Sequence, residues 1–300
     1  MADRWLGLDL GGSTIKAAIV EGGALIERHT VPADTAGGPD VVLDNLAAVG
    51  AAAIADWGPI AGVGLGLPGL FDTVNGVVEM FPNLPGPWPG TPVVERLGTA
   101  IDRPVAIIND ARAFTLAEAR LGAAVGCATV AAYVLGTGIG GGLVIGGRLH
   151  FGRHGRAGEL AHQIVVAGGP RCGCGNRGCL EAVATSGVLA REAGQPSPAA
   201  AFAAAAAGDE RAQRAVDGVI EHLGRAIANT VTAILPERVV VGGGVADAGD
   251  ALFVPLRAAV ARHVTLVPPD WYDVVPAVLG RHAGAVGAAL WAAESTAQNS

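Results

Sequence analysis

Two hairpins of one design constrain this chain more than any other feature. WLGLDLGGSTIKAAIVEGGALIERHTV (residues 5–31) reads as strand, glycine turn, strand, glycine turn, strand. ATVAAYVLGTGIGGGLVIGGRLHFG (residues 128–152) repeats that rhythm. The separation is too long for a solenoid repeat and marks a weak internal symmetry between two halves. Around the hairpins, strands and helices alternate. DVVLDNLAAVGAAAIADWG, TPVVERLGTAID and ARAFTLAEARLGAA carry helical periodicity, while IAGVGLGLPG and RPVAIIND read as strands. The second half adds the long helix DERAQRAVDGVIEHLGRAIANTVTAIL, the strand RVVVGG and a closing helix, AGAVGAALWAAES. The alanine run AAAFAAAAAG also reads as helix, because Ala is the best helix former. Alternation of this kind implies an α/β protein. The first set of strands and helices ends near residue 112, and a domain boundary is expected there.

With 300 residues, 51% of them hydrophobic, the chain is long enough for two cores. Charged residues make up 16% and the net charge is -7. No block of Lys and Arg supplies the basic footprint that a nucleic acid partner needs. MADRWLGLDLGG has no basic segment followed by an apolar run and a cleavage site, so no signal peptide is expected. No stretch reaches the roughly 18 to 20 uninterrupted apolar residues of a membrane helix. The expected location is the cytoplasm, where clustered cysteines bind metal more often than they pair. Cys127, alone in GCATVAAYV, reads as a small buried hydrophobe.

LDLGGSTIK places Asp9 at a strand end and Gly11, Gly12, Ser13 and Thr14 in the turn. LGTGIGGG does the same with Gly136, Thr137 and Gly138. A turn this tight is either only a hairpin or a place where backbone N–H groups converge on an anion. Two, at matching places in two halves, suggest paired phosphate clamps facing a common cleft. VGLGLPG contains Gly64, Gly66 and Gly69 in a GxGxxG pattern. A dinucleotide site needs that pattern to open a helix, but LFDTVNGVVEMFPN follows, with an Asn-Gly turn and a proline. Neither a P-loop nor the protein-kinase signature set occurs. IINDA puts Asn109 and Asp110 at a strand end just before a helix. Asp110 reads as a general base or as an N-cap.

Three of the four cysteines, Cys172, Cys174 and Cys179, fall within one short loop of GELAHQIVVAGGPRCGCGNRGCLE, residues 158–181. With His162 they form a Cys₃His set suited to tetrahedral Zn²⁺, and four protein ligands make the metal structural. Unbound thiols are the other reading, and no CxxC pair supports a redox one. An imidazole with one nitrogen on a metal has its second nitrogen aimed in a fixed direction. Glu159 and Glu181 beside it offer acceptors for the hydroxyls of a neutral sugar.

Together these motifs resemble the ROK family (repressor, open reading frame, kinase), and within it the bacterial ATP-dependent glucokinases. DLGGSTIK is similar to the family's first phosphate motif and LGTGIGGG to its second. NDA resembles its catalytic segment, GELAHQ with CGCGNRGCLE its sugar and zinc signature, and VVVGGGV its nucleotide segment. The resemblance runs nearly end to end. It implies an actin-like, ribonuclease-H-like fold of two α/β domains, with residues 1–111 plus a returning helix at about 284–300 in one and 112–283 in the other. It implies transfer of the ATP γ-phosphoryl group to the 6-hydroxyl of a hexose. Asp110 carries over as the base, and Asn109, Asp110, Glu159, His162 and Glu181 as sugar ligands. His162, Cys172, Cys174 and Cys179 carry over as zinc ligands. Asp9, Gly11, Gly12, Ser13, Thr14, Gly136, Thr137, Gly138, Gly243 and Gly244 form the nucleotide side, with Asp9 positioning Mg²⁺ through water. A homodimer or homotetramer is expected on the same ground.

The sequence departs from the family pattern in three places. Glu-x-Gly-His becomes Glu159-Leu160-Ala161-His162, adding a methyl beside the sugar residues. NDANAAA becomes NDARAFT, placing Arg112 and Phe114 after the base. Ser13 stands where Thr is usual. A single methyl can shift selectivity by roughly 1 to 3 kcal/mol. Glucose is the first expectation, and glucose analogues altered at C2 or C3 (kanosamine, N-acetylglucosamine, N-acetylmannosamine) are the alternative. A repressor would carry a helix-turn-helix ahead of the first phosphate motif, which here begins at Asp9. A silent sugar sensor would not need Asp110 and both clamps. Lys16 reads either as a phosphate-steering cation or as a solvated strand lysine.

Overall fold

The first hairpin forms where its glycines allow the chain to reverse. The computed structural model describes residues 3–72, 75–81 and 84–299. Strands Arg4–Leu10 (β1), Thr14–Glu21 (β2) and Ala24–Pro32 (β3) form an antiparallel meander. Gly22 and Gly23 both take positive φ in the tight turn between β2 and β3, a backbone that L side chains resist. Helix Gly38–Trp57 (α1) leads to Gly62–Leu67 (β4). A short hairpin, Leu70–Asp72 (β5) and Val77–Met80 (β6), precedes helix Val93–Ile101 (α2), strand Val105–Asn109 (β7) and helix Asp110–Leu121 (α3). The main sheet has the order β3-β2-β1-β4-β7, with β4 parallel to both β1 and β7. Gly64 and Gly66 lie inside β4, and β5 follows Gly69, so the GxGxxG pattern opens no helix. Thr73, Val74, Pro82 and Asn83 of the stretch after it lie outside the described residues.

α1, with the turn before it, is long and apolar enough by composition to cross a membrane. Asp40, Asp44 and Asp56 interrupt its apolar surface. Val42, Leu43 and Leu46 instead pack into the core beneath β1 and β4.

The second hairpin founds a sheet of the same plan. Val130–Leu135 (β8), Ile139–Ile145 (β9) and Arg148–Leu149 (β10) form the meander. Helices Leu180–Ala184 (α4), Ser186–Ala193 (α5), Pro198–Ala206 (α6) and Glu210–Ile234 (α7) follow. Arg238–Gly242 (β11), Asp250–His263 (α8) and Asp273–Pro276 (β12) complete the set. The order β10-β9-β8-β11-β12 matches that of the first sheet, with β11 parallel to β8 and β12. The symmetry read from the glycine turns is thus a repeated sheet topology. α7 starts at an Asp209 cap, whose carboxylate accepts from the N–H groups of Arg211 and Ala212. Its stripe of Val216, Val219, Ile220, Leu223, Ile227 and Val231 is buried at helical spacing.

The last helix, Ala283–Asn299 (α9), returns to the first unit, lying against β1, β4 and α3. It lies close because glycine faces it. A Cβ on Gly7 would overlap the Ala285 carbonyl oxygen, and one on Gly64 the Ala288 carbonyl oxygen. Gly287 of α9 lies equally near the Ala113 carbonyl of α3. The chain therefore divides into residues 1–121 with 281–300, and residues 122–280. The boundary expected near 112 would cut α3. That helix packs on α9, so the division falls after Leu121.

Candidate active site

In the first unit Asp9, the glycine turn, Asn109 and Asp110 stand at the carboxyl ends of β1 and β7, and in the second the glycine turn and Gly243 and Gly244 follow β8 and β11. These are the places where open α/β sheets bind their ligands. Glu159, His162 and the loop cysteines lie between β10 and α4. In the first unit Asp9 is paired across from Lys16 of β2 and beside Gly66 of β4, and Asn109 ends β7 beside Leu67. Gly11 N–H donates to the Thr14 carbonyl at 2.9 Å and closes the turn. Thr35 Oγ1 donates to the Gly12 carbonyl at 2.7 Å and steadies it. Gly12 and Ser13 are exposed at its tip. Asp9 is 7% exposed, and its Oδ2 lies 3.1 Å from Lys16 Nζ.

The helix-capping function expected as one reading of Asp110 belongs mainly to Asn109. Asn109 Oδ1 accepts from the N–H groups of Ala111 and Arg112 at 3.1 and 3.3 Å. Asp110 Oδ1 also accepts from Ala111 N–H, at 2.8 Å. The two residues share one helix start, which fixes the Asp110 carboxylate at the end of β7.

In the second unit Gly136 N–H donates to the Gly138 carbonyl at 2.9 Å, and Ser186 N–H to the Gly136 carbonyl at 2.9 Å. Gly243 has a φ of 87°, and a Cβ there would overlap the Leu135 carbonyl. The segment after β11 thus lies directly against the start of the second glycine turn. Glu181 reaches the same turn from α4: its Oε1 accepts from Ile139 N–H at 3.3 Å.

The cysteine loop is shaped by its own backbone. Cys172 N–H donates to the Asn176 carbonyl at 2.8 Å, Gly175 N–H to the Cys172 carbonyl at 3.0 Å, and Val165 N–H to the Gly178 carbonyl at 2.8 Å. This brings His162, Cys172, Cys174 and Cys179 together, with all four ligand atoms within 4.8 Å of one another. His162 Nδ1 is 3.6 Å from Cys172 Sγ, and Cys174 Sγ is 3.7 Å from Cys179 Sγ. Ligands at zinc bond lengths around a tetrahedron would stand about 3.6 Å (N to S) and about 3.8 Å (S to S) apart. The set therefore fits a tetrahedral thiolate-binding ion. Burial, reinforced by the neighbouring thiols, pushes Cys179 up to about 12, and burial also raises Cys172. A backbone N–H at Asn176 lowers Cys174. A cation bound by these thiols would take them as thiolates.

Glu159 is exposed and lies one short turn before His162, whose N–H donates to the Glu159 carbonyl at 3.1 Å. Glu181 Oε2 is 4.0 Å from His162 Nδ1. A support absent from the sequence reading holds this segment. Gln163 Nε2 donates to Tyr133 Oη at 3.0 Å and to Thr230 Oγ1 at 3.2 Å. Tyr133 is fully buried, and burial pushes its phenol up to about 12. Of the departures from the family pattern, Ser13 is exposed, while Ala161 is 2% exposed, Arg112 6% and Phe114 7%. The extra methyl of Ala161 fills the core of its unit, so it adds no surface beside the sugar residues.

The model of the ROK family matches residues 5–295. The glucokinase of Thermotoga maritima is 37% identical over 95% of this chain and 96% of its own. The ROK hexokinase of Thermus thermophilus superposes with a TM-score of 0.89 at 38% identity, covering 98% of this chain and 99% of that one. A ROK glucokinase from Streptomyces griseus, solved with glucose and AMPPNP, superposes with a TM-score of 0.81 at 31% identity, covering 96% and 98%. The likeness carries the actin-like fold expected from the sequence. With repeated sheets, two glycine turns and a Cys₃His loop all in family order, this chain belongs to the ROK family.

Proposed function

We propose that the protein is an ATP-dependent hexose 6-kinase that converts glucose to glucose 6-phosphate. The observation that carries this reading is its likeness, over nearly the whole chain, to a ROK glucokinase solved with glucose and AMPPNP. The residues present fit the chemistry. Phosphoryl transfer demands positioning and charge neutralisation more than covalent catalysis. Asp110, fixed at the end of β7, takes the proton of the 6-hydroxyl as that oxygen attacks the γ-phosphorus. Asn109, Glu159, His162 and Glu181 hold the remaining hydroxyls. Gly12, Ser13, Thr14, Thr137 and Gly138 present backbone N–H groups to the phosphates, in turns that the N–H groups of Gly11 and Gly136 close. Gly243 and Gly244 let the nucleotide approach the backbone. Asp9 would hold Mg²⁺, which would neutralise charge on the phosphates.

His162, Cys172, Cys174 and Cys179 would hold Zn²⁺, which with four protein ligands supplies structure and no Lewis acid. With His162 Nδ1 on the sulfur side, Nε2 is left to donate to a sugar hydroxyl. The protein acts in the cytoplasm as a homodimer or homotetramer.

The test is a coupled ADP-release assay with MgATP and a panel of glucose, mannose, fructose, N-acetylglucosamine, N-acetylmannosamine and kanosamine. Highest kcat/KM for glucose is expected. A clear preference for an amino or N-acetyl sugar would overturn glucose as substrate and keep the reaction. Sugar binding without turnover would overturn the reaction itself.

A further inference from the structure

Gln163 bonds to both chain segments that carry the candidate sugar residues of the second unit. Its carbonyl accepts from Leu180 N–H at 2.9 Å, and Leu180 directly precedes Glu181. Its Nε2 donates to the Leu160 carbonyl at 3.2 Å, and Leu160 directly follows Glu159. His162 is its neighbour in the chain. One residue thus holds the backbone beside Glu159, His162 and Glu181. The short turn Leu160–His162 separates Glu159 from His162, so fixing that turn fixes the spacing between them.

The far side of Gln163 is anchored in the core. Nε2 also donates to Tyr133 Oη of β8 at 3.0 Å and to Thr230 Oγ1 of α7 at 3.2 Å. Tyr133 Oη in turn donates to the Ala226 carbonyl at 3.1 Å and lies 2.7 Å from Thr230 Oγ1. Tyr133 is 0% exposed and Thr230 5%. Buried polar groups cost stability unless they are bonded, and once satisfied they hold one geometry. An apolar side chain at 163 would fill the same space without fixing a direction.

The repeated sheet supplies an internal comparison. β1 and β8 each reach their glycine turn at a leucine, Leu10 paired with Ile15 and Leu135 with Ile139. Two residues earlier β1 has Leu8 and β8 has Tyr133, both fully buried in the core of their own unit. One plan is built once with an apolar side chain and once with a phenol, so the sheet does not require the hydroxyl. The phenol occurs in the unit that carries Glu159, His162 and Glu181.

We propose that Gln163 is a positioning residue of the sugar site, aimed by Tyr133 and Thr230. Its amide, tied to β8 and α7, holds the Leu160–His162 turn so that Glu159 and His162 present their polar atoms to the sugar at a fixed spacing. The inference rests on the hexose-kinase reading and adds to it the residues that set sugar affinity.

The test compares the full wild-type chain with two variants, each with its zinc content measured. Gln163→Met keeps the volume and removes the amide, and Tyr133→Phe removes a single oxygen. Gln163→Met is expected to raise the KM for glucose about tenfold and Tyr133→Phe about threefold. Turnover should change little, with kcat within about threefold, because Asp110 belongs to the other unit. The KM for MgATP should stay within about twofold, because the backbone bond from Leu180 survives both changes and keeps Glu181 at the second glycine turn. Zinc per chain should match wild type. The double variant should be no worse than Gln163→Met, since both act through one network. A network that serves only the fold would lower the melting temperature and leave the KM for glucose unchanged in both variants, and that result overturns the proposal. So does a rise in KM that comes with loss of zinc, an equal rise for glucose and MgATP, or failure of both variants to fold. If wild type prefers another sugar of the panel, the KM for that sugar is read instead. If wild type turns over none, the hexose-kinase reading falls and the proposal with it. Wild-type turnover with unchanged KM in the variants removes the proposal alone.

Discussion

Glu181 Oε1 accepts a hydrogen bond from the Ile139 backbone N–H at 3.3 Å, while its Oε2 lies 3.7 Å from Cys172 Sγ. One carboxylate thus spans from the cysteine loop to the second glycine turn. The loop that would hold the metal and the turn that would hold phosphate are mechanically joined. Disturbance of one is transmitted to the other through a side chain that also belongs to the candidate sugar set.

Removing the metal should therefore weaken both substrates. Cys179 is completely buried, and Cys179→Ser deletes a ligand without changing volume much. Zinc near one per chain is expected for wild type and well below that for the variant. Stability should fall by about 3 kcal/mol, the contribution of a ligand present at a hundredfold excess over its Kd. Metal analysis and thermal melting check this, and KM should rise for ATP as well as for sugar.

Asp110→Asn should lower kcat by about 10²- to 10⁴-fold, the usual contribution of a general base. Folding should be preserved, because Asn109 supplies the main cap of α3. Sugar binding measured by calorimetry should persist. Loss of binding together with kcat would assign Asp110 a positioning function only.

Gly7→Ala should destabilise the first unit by about 3 kcal/mol, at the upper end of ordinary overpacking. The added methyl meets the backbone of α9, which has no side chain to move aside. Chemical denaturation measures the loss. Gly12→Ala is the control, since a Cβ there meets nothing and the effect should be small.

Glu221 tests the electrostatics of α7 and α8. Burial pushes its carboxyl up, but hydrogen bonds from His263 and Arg262 and the charge of Arg225 outweigh burial and leave it below its ordinary 4.5. A carboxylate depressed on folding stabilises above its unfolded pKa, and the contribution is lost as pH falls through the folded value. Glu221→Gln should thus cost under about 1 kcal/mol at pH 7, because the site is partly exposed and screened. The difference from wild type should shrink below pH 4.5. Melting curves from pH 3 to pH 7 would show it; a gap independent of pH would sink the explanation.

The sheets were legible because glycine turns and apolar strands are local signals. The cysteine loop was legible for the same reason, its three thiols lying within one short stretch. The domain boundary was not. α3 has apolar residues on several faces, and nothing local says which partner covers them. Gly7 and Gly64, placed inside strands, were the available clue to a close backbone approach. The support under His162 was out of reach altogether. Gln163 meets Tyr133 and Thr230, which are 30 and 67 positions away.

The return of α9 also sets an order of events during protein synthesis. β1 and β4 leave the ribosome before residues 122–280, and the helix that covers their glycine face is made after those residues. Residues 122–280 can close their own core while the N-terminal sheet still waits for its cover. Until residues 283–299 emerge, that sheet offers bare backbone and apolar strands to its surroundings, the condition in which chaperones bind and truncation before this helix leads to aggregation.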